Sequence, residues 1–227
     1  MKYTYLLINL LSVILPLIFS FEKRVLFFKR WRYLFPAMLI SAIFFIIWDS
    51  WFTRLGIWKF NDQFLTGIYL YNLPIEEVLF FITIPYASMF LYEVLTLALS
   101  DSTYHYRNTY FISLVLVGIF VLISCMHVDK AYTLTSFLFC SGLIVFLLVI
   151  KSKYLLRFYL FYLFLLIPFV IVNGLLTGSF INRIVVEYND MENLGIRFFT
   201  IPIEDFVYGM SMMLLNVSLY EYLKSRY

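Results

Sequence analysis

Charged residues cut this chain into long apolar runs. Read from charge to charge, the runs cover Tyr3–Phe21, Tyr33–Trp51, Pro74–Ala98, Thr109–Met126, Ala131–Ile150, Leu155–Leu176 and Ile201–Tyr222. A bilayer core takes roughly 20 apolar residues per helix, so the pattern predicts an all-α integral membrane protein with about seven transmembrane helices.

Laid against itself at an offset of 128 residues, the chain repeats. Asn61-Asp62-Gln63-Phe64-Leu65-Thr66-Gly67-Ile68 falls on Asn189-Asp190-Met191-Glu192-Asn193-Leu194-Gly195-Ile196. Pro74-Ile75-Glu76-Glu77 falls on Pro202-Ile203-Glu204-Asp205, and Leu91-Tyr92-Glu93 on Leu219-Tyr220-Glu221. Shared hydrophobicity does not produce ungapped identity this dense, so we read a duplication. The expected units are a first three-helix repeat over 1–98, a linker helix within 99–130 and a second three-helix repeat over 131–227. An odd linker inserts both halves the same way, giving parallel repeats about an axis along the membrane normal. Basic residues agree with this. If the loop holding Lys23, Arg24, Lys29, Arg30 and Arg32 is cytoplasmic, that side collects eleven of the 17 Lys and Arg, with Arg107 among them. The positive-inside rule then puts the N-terminus outside and the C-terminus in the cytoplasm.

Composition narrows the class further. Hydrophobic residues make up 63% and charged residues 14%, with a mean hydropathy of +0.89. That leaves too little polar surface for a water-soluble fold. Aromatic residues reach 22%, more than interfacial belts require, which suggests an aromatic interior as well as rings facing lipid. The net charge of +3 forms no basic stripe outside the juxtamembrane loops, so a nucleic-acid partner is excluded. Cys125 and Cys140 match no metal spacing and read as small buried hydrophobes. The first run has one early lysine, no small-x-small cleavage pattern and a counterpart later in the chain, so it reads as structure.

Acids inside apolar helices are costly and are functional by default. Glu76 and Glu77 open the third segment, and Glu204 and Asp205 open the seventh. Acids in a first turn complement the helix dipole, but two consecutive acids in both halves ask for more than that. Proline suits the first turn, and Asn72 and Thr200 can cap. Neighbouring residues point about 100° apart on a helix, so one acid of each pair can face a cavity while the other orients it or meets another helix. Close carboxyls share protons and titrate as a group. Asp49 ends the second segment on the same side, and with a short local gap it aligns with Asn173. Asn61, Asp62, Asn189 and Asp190 read as turn formers, and Glu93 and Glu221 as acids reaching water at helix ends. His105 falls in a loop, and His127-Val128-Asp129 is too isolated for a metal site. No mid-helix lysine serves a retinal Schiff base. Gly-x-Gly-x-x-Gly, Walker A, nucleophile-elbow and Asp-Asp-x-x-Asp motifs are all missing.

These residues resemble the integral-membrane lycopene cyclase domain family, found as two small subunits in some bacteria and as fused halves in others. The likeness rests on Trp48-Asp49 after an apolar run, on Asn72-Leu73-Pro74-Ile75-Glu76-Glu77, and on Ile201-Pro202-Ile203-Glu204-Asp205. It implies redox-neutral closure of an acyclic carotenoid end group into a β-ionone ring, with no cofactor and no metal. An acid protonates the terminal double bond, a neighbouring double bond captures the cation, and a base removes a proton. Glu76 or Glu77 would be the acid, Asp49 would orient or accept, and Glu204 and Asp205 would be the partner pair. Trp48, Phe80, Phe81 and Asn173 would contact substrate. The implied partners are an apolar carotenoid drawn from the bilayer and membrane lipid. Self-association and docking with other carotenoid-pathway enzymes stay open. A small-solute or proton-coupled transporter with three-one-three parallel repeats is the alternative. Against it, Pro85 and Pro168 interrupt segments at unmatched repeat positions. A non-catalytic assembly subunit leaves the duplicated acids unexplained.

Overall fold

The computed structural model describes residues 2–98, 106–181 and 183–226. Seven helices follow in chain order: α1 (Thr4–Phe19), α2 (Trp31–Leu55), α3 (Ile75–Ala98), α4 (Tyr106–Met126), α5 (Ala131–Val149), α6 (Leu155–Thr177) and α7 (Ile203–Arg226). Short strands lie between them: β1 (Trp58–Phe60), β2 (Tyr69–Leu70), β3 (Leu73–Pro74), β4 (Val186–Tyr188), β5 (Arg197–Phe198) and β6 (Ile201–Pro202). His105 lies outside the described residues.

Five helices, α2 to α6, are long and apolar enough to cross a membrane. The other two depart for different reasons. α1 is apolar but has only 16 residues. α7 has 24 residues but carries more polar groups, because it runs through the middle of the bundle. It packs against α2, α3, α5 and α6 and buries Met213, Leu214, Asn216 and Tyr220. Pro85 and Pro168 do not interrupt their segments, since each sits inside a continuous helix. α6 ends on Gly178, whose φ of 96° closes the helix in the left-handed region that glycine enters without strain. Cys140 is buried, as a small hydrophobe should be, whereas Cys125 is exposed on the outside of α4.

The repeated motifs make repeated bonds. The amide of Ile75 donates to the Ile68 carbonyl at 2.9 Å, and that of Ile203 to Ile196 at 3.0 Å. β2 pairs with β3 and β5 with β6 in equivalent registers, Tyr69 opposite Pro74 and Arg197 opposite Pro202. Asn61 and Asn189 each accept the amide two residues on, a local turn that their side chains stabilise. Asp190 also takes Arg197 at 2.5 Å, and this hydrogen bond holds its carboxyl below the ordinary range. Asn72 and Thr200 do not cap α3 and α7. Asn72 exchanges two hydrogen bonds with Ser50, and Thr200 meets Thr177 and Ser179, so each ties a helix start to the end of the preceding helix.

Contacts between the two stretches that carry the matching motifs are reciprocal at both ends. β1 and β4 stand at equivalent positions and pair with each other, antiparallel, Trp58 opposite Tyr188 and Phe60 opposite Val186. At the far end the Tyr92 hydroxyl donates to Glu221 at 2.8 Å, and the Tyr220 hydroxyl to Glu93 at 2.7 Å. Glu93 also pairs with Lys224 at 3.1 Å and Arg30 at 3.6 Å, and Glu221 with Arg157 at 3.3 Å. Glu93 and Glu221 therefore do not simply reach water: each is held in the bundle by the tyrosine next to the other glutamate.

Candidate active site

Each hairpin turn delivers its helix start with two acids in the first turn, and the two point apart. Glu76 and Glu204 turn back to their own connections. Oε1 of Glu76 accepts the Thr66 amide at 2.6 Å, and Oε1 of Glu204 the Leu194 amide at 2.7 Å. Glu204 also accepts the Thr133 hydroxyl at 2.6 Å. Buried carboxylates that accept backbone N–H groups hold the chain path. A Glu76→Gln exchange keeps an oxygen for Thr66, so we expect it to cost no more than about 1 kcal/mol, the net worth of one hydrogen bond, measured as a small fall in thermal unfolding temperature in detergent.

Glu77 and Asp205 turn the other way and line one small chamber, about 70 Å³ in volume, together with Asp49 from α2. All three carboxyls are buried. Tyrosines hold two of them. Tyr5 donates to Glu77 Oε2 at 2.5 Å, and Tyr132 and Tyr188 donate to the two oxygens of Asp205 at 2.6 and 2.8 Å. Burial first, and the Asp205 charge next, push the Tyr188 hydroxyl well above the ordinary range, so it stays a donor. Asp49 Oδ2 and the Tyr208 hydroxyl are buried with no hydrogen-bond partner among the described residues. The Trp58 indole lies beside Asp49. Phe60 and Val186, from the paired β1 and β4, are part of the chamber wall.

Ile84, Phe169, Asn173, Gly209 and Met212 line both this chamber and an apolar groove of about 430 Å³ between α1, α3, α6 and α7. A polar end and an apolar approach thus share one wall.

Of the residues singled out by sequence, Asp49, Glu77, Asp205, Phe80, Phe81 and Asn173 reach the chamber. Glu76 and Glu204 stand outside it, engaged with the connections. Trp48 also lies outside, in an aromatic cluster, stacked on Phe45 at 6.0 Å and edge-on to Phe139 at 5.1 Å between ring centroids. Sequence reading missed Tyr5, Tyr132, Tyr188, Tyr208 and Trp58. Tyr5 and Tyr132 do match at an offset of 127, one residue away from the register of the acid motifs.

Five helices long and apolar enough to cross a membrane, buried acids among them and an apolar groove alongside define a class: an integral membrane protein with titratable groups in its interior. Comparison with known proteins gives the particular member of that class. The chain belongs to the lycopene cyclase family, which matches residues 2–95 and again residues 129–223. Curated relatives include the bifunctional lycopene cyclase/phytoene synthase of Podospora anserina, 32% identical over 104 residues, which are 46% of this chain and 16% of the fungal protein. The protein of the same description from Pyrenophora tritici-repentis is 34% identical over 98 residues, 42% and 17% of the two chains. That from Aspergillus oryzae is 36% identical over 66 residues, 29% and 11%. The matched region is less than a fifth of each of these relatives. No solved structure matches the chain.

Proposed function

We propose that this protein is a lycopene β-cyclase, which isomerises an acyclic carotenoid end group into a β-ionone ring. The observation that carries this reading is the convergence of Glu77, Asp49 and Asp205 on one chamber whose wall continues into an apolar groove. Glu77 donates a proton to the terminal double bond of the substrate. The resulting cation is attacked by the neighbouring double bond, which closes the ring and moves the positive charge onto it. Asp49, with a free carboxyl oxygen, removes a ring proton, so the product is an isomer and no electrons are gained or lost. Three carboxyls close together share protons, which supports a loaded acid beside an available base. Asp205, fixed by two tyrosines, steadies the positive charge from the second half. The ring faces of Phe80, Phe81 and Tyr208 add cation–π attraction, and the wall from β1 and β4 keeps water from quenching the cation. Glu76 and Glu204 act as positioning residues.

The reading includes the topology. Seven spans, two parallel three-helix repeats and α4 as the linker put both acid pairs on the outer face, with the C-terminus in the cytoplasm. The symmetric β1–β4 register and the matched bonds of Glu76 and Glu204 support it.

Expression in a bacterium engineered to accumulate lycopene tests the activity. We expect cyclised pigment from the native chain and none from Glu76→Gln combined with Glu77→Gln, read by chromatography of extracted pigments. A native, membrane-inserted chain that leaves lycopene untouched defeats lycopene as the substrate.

A further inference from the structure

The two halves differ in what stands beside the acids. On one side Ser12 of α1, Val172 of α6 and Gly209 of α7 line the open groove of about 430 Å³. Their counterparts, at offsets of 127, 124 and 128, are Phe139 of α5, Trp48 of α2 and Phe81 of α3. A small or medium side chain is replaced by a ring in each case. The three rings close together around Phe45, at centroid distances of 6.1 Å for Phe139, 6.0 Å for Trp48 and 6.3 Å for Phe81. Farther along, Ser88 lines the groove, while its counterpart Asn216 bridges to Ser41 at 2.8 Å. One side is therefore filled by clustered rings, and the other is hollow.

The hollow side narrows at Gly209. A Cβ there would come within 2.9 Å of the Phe169 ring, and both residues line chamber and groove alike. Along the groove, Leu15 and Phe19 of α1 are exposed on the outer surface of the bundle. Groove and chamber thus meet at Gly209 and Phe169, and the groove lining is mostly apolar, as a linear polyene requires.

We propose that the groove between α1, α3, α6 and α7 is the portal through which a carotenoid end reaches the acids, that Gly209 and Phe169 form its constriction, and that the pseudo-equivalent portal is plugged by Trp48, Phe81 and Phe139. This rests on the cyclase reading above. With one portal open, one end of a linear carotenoid is cyclised per visit. A molecule with two such ends has to leave and return reversed, so the monocyclic carotenoid is set free as an intermediate.

The test uses the full chain in the lycopene-accumulating bacterium. Gly209→Phe copies the plugged side at the constriction, and Ser12→Phe copies it on α1, where the serine hydroxyl donates to the Ile8 carbonyl of its own helix. Each is expected to lower ring formation about tenfold or more at equal amounts of membrane-inserted protein. In the native chain, free monocyclic pigment is expected before any bicyclic pigment. Ring formation at the native rate in Ser12→Phe, or bicyclic pigment with no free monocyclic precursor, overturns the portal and leaves the cyclase reading standing. A native chain without any effect on lycopene overturns the cyclase reading, and the portal falls with it. Should Gly209→Phe fail to accumulate, Ser12→Phe and the native time course decide.

Discussion

Glu77→Gln is expected to reduce carotenoid cyclisation by about 10²–10⁴-fold, the usual contribution of a positioned acid, while the protein still accumulates in the membrane. Glu76→Gln, one residue away, is expected to keep most of the activity. The difference follows from direction. Glu77 faces the chamber with Asp49 and Asp205, and its amide analogue still offers an oxygen to the Tyr5 hydroxyl, so the wall is preserved and only the transferable proton is lost. Glu76 faces Thr66 and holds the connection that leads into α3. Pigment chromatography, normalised to membrane-inserted protein, measures both. The assignment is wrong if Glu76→Gln loses more activity per protein than Glu77→Gln. The double variant cannot make this distinction.

The matching turns and Pro-Ile-Glu-acid starts were legible because both motifs keep their residues in place, and the same bonds form at each. The nearness of Asp49 to Glu77 was legible as well, since consecutive membrane helices bring the end of one to the start of the next. Direction around the helix was not. A 100° step says that Glu76 and Glu77 diverge, but not which of them looks inward; that depends on where the Thr66 amide lies after the turn. For the same reason Trp48 drew attention as the neighbour of Asp49, although it faces the aromatic cluster. Trp58, nine residues after Asp49, is folded back beside it by β1. Among 19 tyrosines no single one stands out, and Tyr188 reaches Asp205 only because β1 and β4 pair. The plugged and open sides were also hidden, because a Gly209 opposite a Phe81 becomes a difference in volume only once four helices surround it.

Glu93→Ala is expected to destabilise the folded protein by about 2–3 kcal/mol, the scale of hydrogen bonds to a charged group lost inside a protein, and to do so more than Glu221→Ala. Glu93 is almost fully buried and serves Tyr220, Lys224 and Arg30; Glu221 is less enclosed and serves Tyr92 and Arg157. Truncating Glu93 leaves the Tyr220 hydroxyl without its acceptor in the interior. Arg30 and Lys224 are partly exposed and can turn to water, which keeps the loss below the roughly 3–5 kcal/mol of a fully buried pair broken on one side. Glu93→Gln keeps an acceptor for Tyr220 and is expected to cost less than the alanine variant. Thermal unfolding of the purified protein in detergent measures all three. Sixteen residues of α3 separate Glu93 from Glu77, about 24 Å along the helix. Cyclisation per folded molecule should therefore stay at the native level while the unfolding temperature falls. An unchanged unfolding temperature removes the reciprocal tyrosine–glutamate contacts as a clamp between α3 and α7. A loss of activity per folded molecule would mean instead that this end of the bundle sets the geometry of the chamber.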